Sequence, residues 1–149
     1  MEIEKEIKNN KFINNYHKAS VNILFTYNWL NSMLKKELNQ HKITNQQFNI
    51  LRILRGQYPN PCTVNILKER MLDKMSDASR IVDRLVQKEL VTRNTNKKDR
   101  RSVDILISDK GLCLLENIHL EAEMSKILSQ NISEKDCQHL SNLLDKLRG

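Results

Sequence analysis

Apolar residues recur at three- and four-residue steps from about Asn10 to Gln40: Phe12, Ile13, Tyr16, Ala19, Ile23, Tyr27, Leu30, Leu34 and Leu38. That period predicts one long helix. Val21, Leu24, Phe25, Trp29 and Met33 widen its apolar face beyond a single stripe, so it needs cover on two sides. Its own domain supplies one side. Few helices remain for the other, and a second subunit is expected there. Ile43-Thr44-Asn45-Gln46-Gln47 then reads as a new helix start, with Thr44 and Gln47 spaced as a capping box. Phe48, Ile50, Leu51, Ile53 and Leu54 give this second helix an apolar face, and Gly56 with Tyr58-Pro59-Asn60-Pro61 ends it. Thr63 caps a short third helix carrying Val64, Ile66, Leu67 and Met71.

The stretch from Met75 to Ser108 changes period midway. Ser76 is the expected cap of its helix, with Asp73 an alternative start one turn earlier. Residues about 100° apart around a helix put Ala78, Ile81, Val82 and Leu85 on one face. Ser76, Arg80, Asp83 and Gln87 fall opposite, flanked by Arg84 and Lys88. Such a polar face fits a DNA major groove, although most polar helix faces are merely solvated. Leu90-Val91-Thr92-Arg93 then reads as a strand. Val103, Ile105 and Ile107 alternate with Asp104, Leu106 and Ser108 as its partner. Residues 93–101 hold five cations (Arg93, Lys97, Lys98, Arg100 and Arg101) against one anion, Asp99. A hairpin of this kind holds positive charge away from the body, suited to phosphates or a narrow minor groove.

Ser108-Asp109 caps the following helix, whose Leu112, Leu115, Ile118, Leu120, Met124, Ile127 and Leu128 predict a run to about Gln130. Ser133-Glu134-Lys135-Asp136 starts a last helix with Cys137, Leu140, Leu143, Leu144 and Leu147. Helix, strand, charged turn and strand between helices give a mostly α (α+β) fold, a winged helix-turn-helix. Three Gly and two Pro in 149 residues leave few breakers and favour long helices over a many-stranded sheet. The net charge of +7 suits a polyanionic partner.

Cys62, Cys113 and Cys137 are odd in number and far apart, which argues against disulfides and a zinc site and for reduced thiols. The polar amino terminus carries no apolar signal core, and no run approaches membrane-spanning length. A soluble cytoplasmic protein is expected, with no membrane partner. His17, His41, His119 and His139 are scattered, and neither a phosphate-cradling Gly loop nor a nucleophile elbow is visible. No catalytic residue, metal or cofactor is assigned, and an enzyme is disfavoured.

Several spaced blocks resemble the MarR family of bacterial transcription regulators. Ile43-Thr44-x-x-Gln47-Phe48-x-Ile50-Leu51 resembles the opening of the family's second helix. Ser79-Arg80-Ile81-Val82-Asp83-Arg84-Leu85 and Lys88-Glu89-Leu90-Val91-x-Arg93 are similar to the end of its recognition helix and the entry to its wing. Asp99-Arg100-Arg101, then Ile107-Ser108-x-x-Gly111, resemble the wing signature and the next helix start. Two positions depart from the pattern: Glu89 stands where Gly is usual, and Ser79 where Thr is common.

The resemblance implies one domain over 1–149, with residues 43–108 as the winged helix-turn-helix and 1–42 and 109–149 as long dimerisation helices. It implies a homodimeric repressor on a pseudopalindromic operator in double-stranded DNA, released by a small-molecule effector. Ser76, Ser79, Arg80 and Arg84 would face DNA, with Lys97, Lys98, Arg100 and Arg101 contributed by the wing. Asp99 would shape the wing through a nearby Arg. Either Arg100 or Arg101 would enter the minor groove, and Arg101 is preferred. An effector pocket beside the first helix would offer Tyr16, His17, Trp29 and Phe48, which serve equally as packing. A redox-responsive regulator of the same fold is the alternative: Cys62 precedes a helix start, where a thiol pKa falls. Peroxide sensors of the family carry a Cys in the first helix, and this one has none.

Overall fold

The computed structural model describes residues 1–96 and 102–149. Eight helices and two strands follow in order among them: α1 (Ile3–Glu6), α2 (Asn15–Gln40), α3 (Asn45–Gln57), α4 (Val64–Arg70), α5 (Ala78–Gln87), β1 (Val91–Thr95), β2 (Val103–Ile107), α6 (Asp109–Glu116), α7 (Leu120–Ser129) and α8 (Glu134–Arg148). They form two compact units, Met1–Leu115 and Glu116–Gly149. The mostly helical chain with its two-stranded sheet has the winged helix-turn-helix architecture. None of the helices is long and apolar enough to cross a membrane among the described residues.

Helix starts follow local chemistry. Thr44 Oγ1 accepts from the Gln47 amide at 3.2 Å while Gln47 Oε1 accepts from the Thr44 amide at 3.2 Å, the expected capping box. Thr63 Oγ1 caps α4 through the Ile66 amide, and Ser133 Oγ caps α8 through the Asp136 amide. Ser108 Oγ accepts from the Gly111 amide at 3.0 Å as α6 begins.

Helix ends show a second rule. Lys8, Lys42 and Glu89 have φ of 52°, 56° and 61°, each just past the end of α1, α2 or α5. At α2 the Ile43 amide donates back to the Leu38 carbonyl and the Lys42 amide to that of Asn39. At α5 the Leu90 amide donates to Leu85 and the Glu89 amide to Val86. These are Schellman motifs, closed by buried pairs Leu38 with Ile43 and Leu85 with Leu90. A side chain in the left-handed region costs roughly 1–2 kcal/mol where glycine costs little. Glu89, in the position where the family commonly has Gly, carries that cost.

Three expectations need correction. The long helix starts at Asn15 and not Asn10, because Asn14 Oδ1 caps it through the His17 amide at 2.9 Å. Residues 10–14 lie outside any helix, and a separate short α1 earlier in the chain buries Ile3 and pairs Glu4 with Lys18. The helix expected from Asp109 to about Gln130 is broken at residues 117–119, where Asn117, Ile118 and His119 all have weak helix propensity. Ser76 does not cap α5. Asp77 Oδ1 accepts from the Arg80 amide at 3.1 Å, and Ser76 Oγ donates to Asp73 Oδ2 at 2.6 Å. Asp73 also accepts from the Met75 amide, so it closes the turn, engages the Ser76 hydroxyl and does not begin a helix.

The core of the first unit lies under the winged segment. Ile50, Leu51 and Leu54 of α3, Leu67 of α4, Val82 and Leu85 of α5 and Ile105 of β2 are all buried. β1 and β2 pair antiparallel with Val91 opposite Ile107 and Thr95 opposite Val103. Cys62 adds one further antiparallel bridge to Ile105, with amide-to-carbonyl distances of 2.9 Å in both directions. The hairpin base is thereby stitched to the segment that leads into α4.

Candidate nucleic-acid interface

α4, the turn 71–77 and α5 make the helix-turn-helix. Within α5, Ala78, Val82 and Leu85 are fully buried, which fixes the opposite face outward. Arg80 and Arg84, one turn apart, are exposed on that face, and neither has an ion-pair partner among the described residues. Ser79 and Ser76 are half-buried. The Ser76 hydroxyl proton is directed to Asp73, which leaves its oxygen as an acceptor. Those two hydrogen bonds, from the Ser76 hydroxyl and the Met75 amide, hold the Asp73 carboxyl below its ordinary value. The turn therefore keeps its negative charge and its shape together.

One cation expected on the wing has a different task. Arg93 of β1 donates to Asp83 of α5 at 2.6 Å, so it ties the hairpin to the helix. Sequence periodicity gave no signal for this pair, since one member lies on a helix and the other on a strand. Further out, the Asn96 amide donates to the Ser102 carbonyl at 3.0 Å and Asn96 Nδ2 to Asp104 Oδ1 at 2.9 Å. Lys97, Lys98, Asp99, Arg100 and Arg101 lie outside the described residues.

The thiol and aromatic candidates are dispersed. Cys62 is buried, and burial pushes its thiol up rather than down. The position before a helix suggested the opposite, but the bridge to Ile105 takes the residue out of water. Phe48 is spent in the core with the Arg52 guanidinium over its ring, while Tyr16 is 84% exposed. His17 packs edge-on against Phe12, and Trp29 is half-buried.

A model of the MarR family matches residues 43–103. The HTH-type transcriptional regulator PecS of Dickeya dadantii (strain 3937) is 32% identical over 120 residues, which cover 76% of this chain and 70% of PecS. A mutant MarR from E. coli, solved in complex with operator DNA, aligns with a TM-score of 0.78 at 24% identity over 93% of this chain and 99% of that one. Bordetella bronchiseptica BpsR, whose DNA binding is regulated by 6-hydroxynicotinic acid, aligns with a TM-score of 0.73 at 18% identity. That alignment covers 89% of this chain and 99% of BpsR. The two structures share the fold with this chain.

Proposed function

Because the chain belongs to the MarR family of transcription regulators, we propose that it is a sequence-specific repressor. It binds a pseudopalindromic operator as a homodimer and is released by a small-molecule effector. The observation that carries the reading is α5: one face buried through Ala78, Val82 and Leu85, the other holding Arg80 and Arg84 outward without ion-pair partners among the described residues. A short helix so presented suits a major groove, where an Arg bonds guanine or phosphate and a hydroxyl bonds a base edge or phosphate. Ser76, Ser79, Arg80 and Arg84 take those roles. Lys97, Lys98 and Arg100 contact phosphate from the wing, Arg101 enters the minor groove, and Asp99 shapes the wing.

Residues 43–108 form the DNA-reading part, and residues 1–42 and 109–149 carry dimerisation. Leu24 and Tyr27 of α2, and separately Leu143 and Leu147 of α8, expose half or more of their surface. Apolar stripes of this kind favour cover by a second copy. The effector reading draws on the likeness to BpsR and its 6-hydroxynicotinic acid. The molecule is read as a binding protein and not an enzyme, in keeping with relatives that are transcription regulators.

Anisotropy titrations on a duplex selected from a random pool test this function. Log affinity should fall linearly with log salt, with a slope near −0.9 for each phosphate neutralised. Arg101→Ala should weaken binding and reduce that slope while the protein stays folded. A salt-independent affinity, or full affinity in Arg101→Ala, would contradict the reading.

A further inference from the structure

The two residues that follow α5 tie it to opposite neighbours. Lys88 Nζ donates to the Lys42 carbonyl at 2.5 Å and to Gln47 Oε1 at 3.1 Å. Lys42 closes α2 and Gln47 belongs to the capping box that opens α3, so one ammonium seals the corner between those helices. Gln47 is buried, and its amide oxygen divides between the Thr44 amide and this lysine. On the other side, the Glu89 carbonyl accepts from Ser108 Oγ at 2.7 Å, and the Leu90 carbonyl accepts from the Ser108 amide at 3.1 Å. Ser108 caps α6, where a Cβ on Gly111 would stand 2.3 Å from the Leu90 carbonyl. Lys110 Nζ adds an exposed pair with Glu89 at 2.7 Å.

A second observation marks these points. Lys42 and Glu89, whose carbonyls receive the anchoring bonds, are both left-handed non-glycine residues. Strained backbone persists where surrounding structure over-determines it. Here the surroundings are the ends of α2 and α5 and the start of α6.

We propose that Lys88 is a positioning residue that, with the Glu89 backbone, fixes the angle of the recognition helix against the α2–α3 corner and the start of α6. The proposal rests on the DNA-binding reading and deepens it. A dimer reads two half-sites at one spacing only if each recognition helix is held rigidly to the parts that join the subunits. Lys88 supplies that rigidity without touching DNA. The bonds to carbonyls and to a buried amide carry the effect. The Glu89–Lys110 pair, exposed on both sides, adds little through solvent.

The test uses the full chain and the variants Lys88→Met, Lys88→Arg and Glu89→Gln. In the free protein, hydrogen exchange of the α5 and α2–α3 corner amides should quicken about tenfold in Lys88→Met, with the hairpin amides unchanged. On the selected operator, Lys88→Met should bind about tenfold more weakly. Its penalty for a base pair inserted at the operator centre should shrink relative to wild type. Lys88→Arg and Glu89→Gln should keep the wild-type exchange and spacing penalty. Unchanged exchange in Lys88→Met overturns the proposal whether or not DNA binds. An equal loss on every duplex, with the spacing penalty intact, also overturns it and leaves Lys88 merely structural. Failure of the wild type to select any operator strikes the functional reading instead, and the exchange measurement still decides the anchor.

Discussion

The winged segment and the long helices treat their apolar residues in opposite ways. Ile50, Leu51, Val82, Leu85 and Ile105 are fully buried within the first unit, whereas Leu24 and Tyr27 of α2 are more than 60% exposed. α8 buries none of its residues, and Leu143 and Leu147 stand half or more in solvent. The winged segment closes its own core, and the long helices leave theirs for something else to close. A substitution in the first region should therefore act on folding and one in the second on association.

The largest expected effect lies in the first region. Leu85→Ala should cost about 2–5 kcal/mol in denaturant unfolding, because it would open a cavity where α5 packs against α3, α4 and β1. A loss below 1 kcal/mol would break the contrast by showing that the core is loosely packed. In the second region, Tyr27→Asp should leave helical circular dichroism almost unchanged while it weakens self-association at least tenfold, about 1.4 kcal/mol, by sedimentation equilibrium. A wild-type chain that sediments as a monomer at micromolar concentration would remove the basis for the comparison.

Smaller effects sharpen it at the two ends of α5. Asp77→Ala should cost about 0.5–2 kcal/mol of stability, since it removes the true cap, and Ser76→Ala should cost less. The reverse ranking would return the cap to Ser76. Glu89→Gly should stabilise by up to about 1 kcal/mol despite losing the Lys110 pair, because glycine accepts the left-handed backbone. The acid limb of stability is the subtlest measurement. The Lys110 hydrogen bond and charge hold the Glu89 carboxyl below its ordinary value of 4.5. Its contribution is complete above that value and is lost as the pH falls through the lower folded one. Glu89→Gln should flatten that part of a stability–pH curve slightly, and an identical curve would show the pair to be idle.

What was legible in the sequence was local. The capping box at Thr44 and Gln47, the caps at Thr63 and Ser133 and the alternation of Val103, Ile105 and Ile107 are decided by neighbours within a few residues. The buried side of α5, with Ala78, Val82 and Leu85, was legible for the same reason. Ser76 misled because the next residue, Asp77, also carries a capping oxygen and takes the Arg80 amide, while the Ser76 hydroxyl turns back to Asp73. The break after α6 escaped because Ile118 and Leu120 extend an apolar pattern that the weak helix formers around them do not sustain. Lys88 with Lys42, Arg93 with Asp83 and Cys62 with Ile105 were invisible because tertiary folding creates those contacts. No spacing rule joins a helix end to a corner 46 residues earlier.

In the proposed function two copies of α5 read a symmetric DNA site. Selection of bound duplexes from a random pool by this 149-residue chain is the decisive experiment. The expected product is a two-fold-symmetric motif whose half-sites lie about one helical turn apart, and whose enrichment is lost in Arg80→Ala. Recovery of no motif, or the same motif at the same strength with Arg80→Ala, would contradict it.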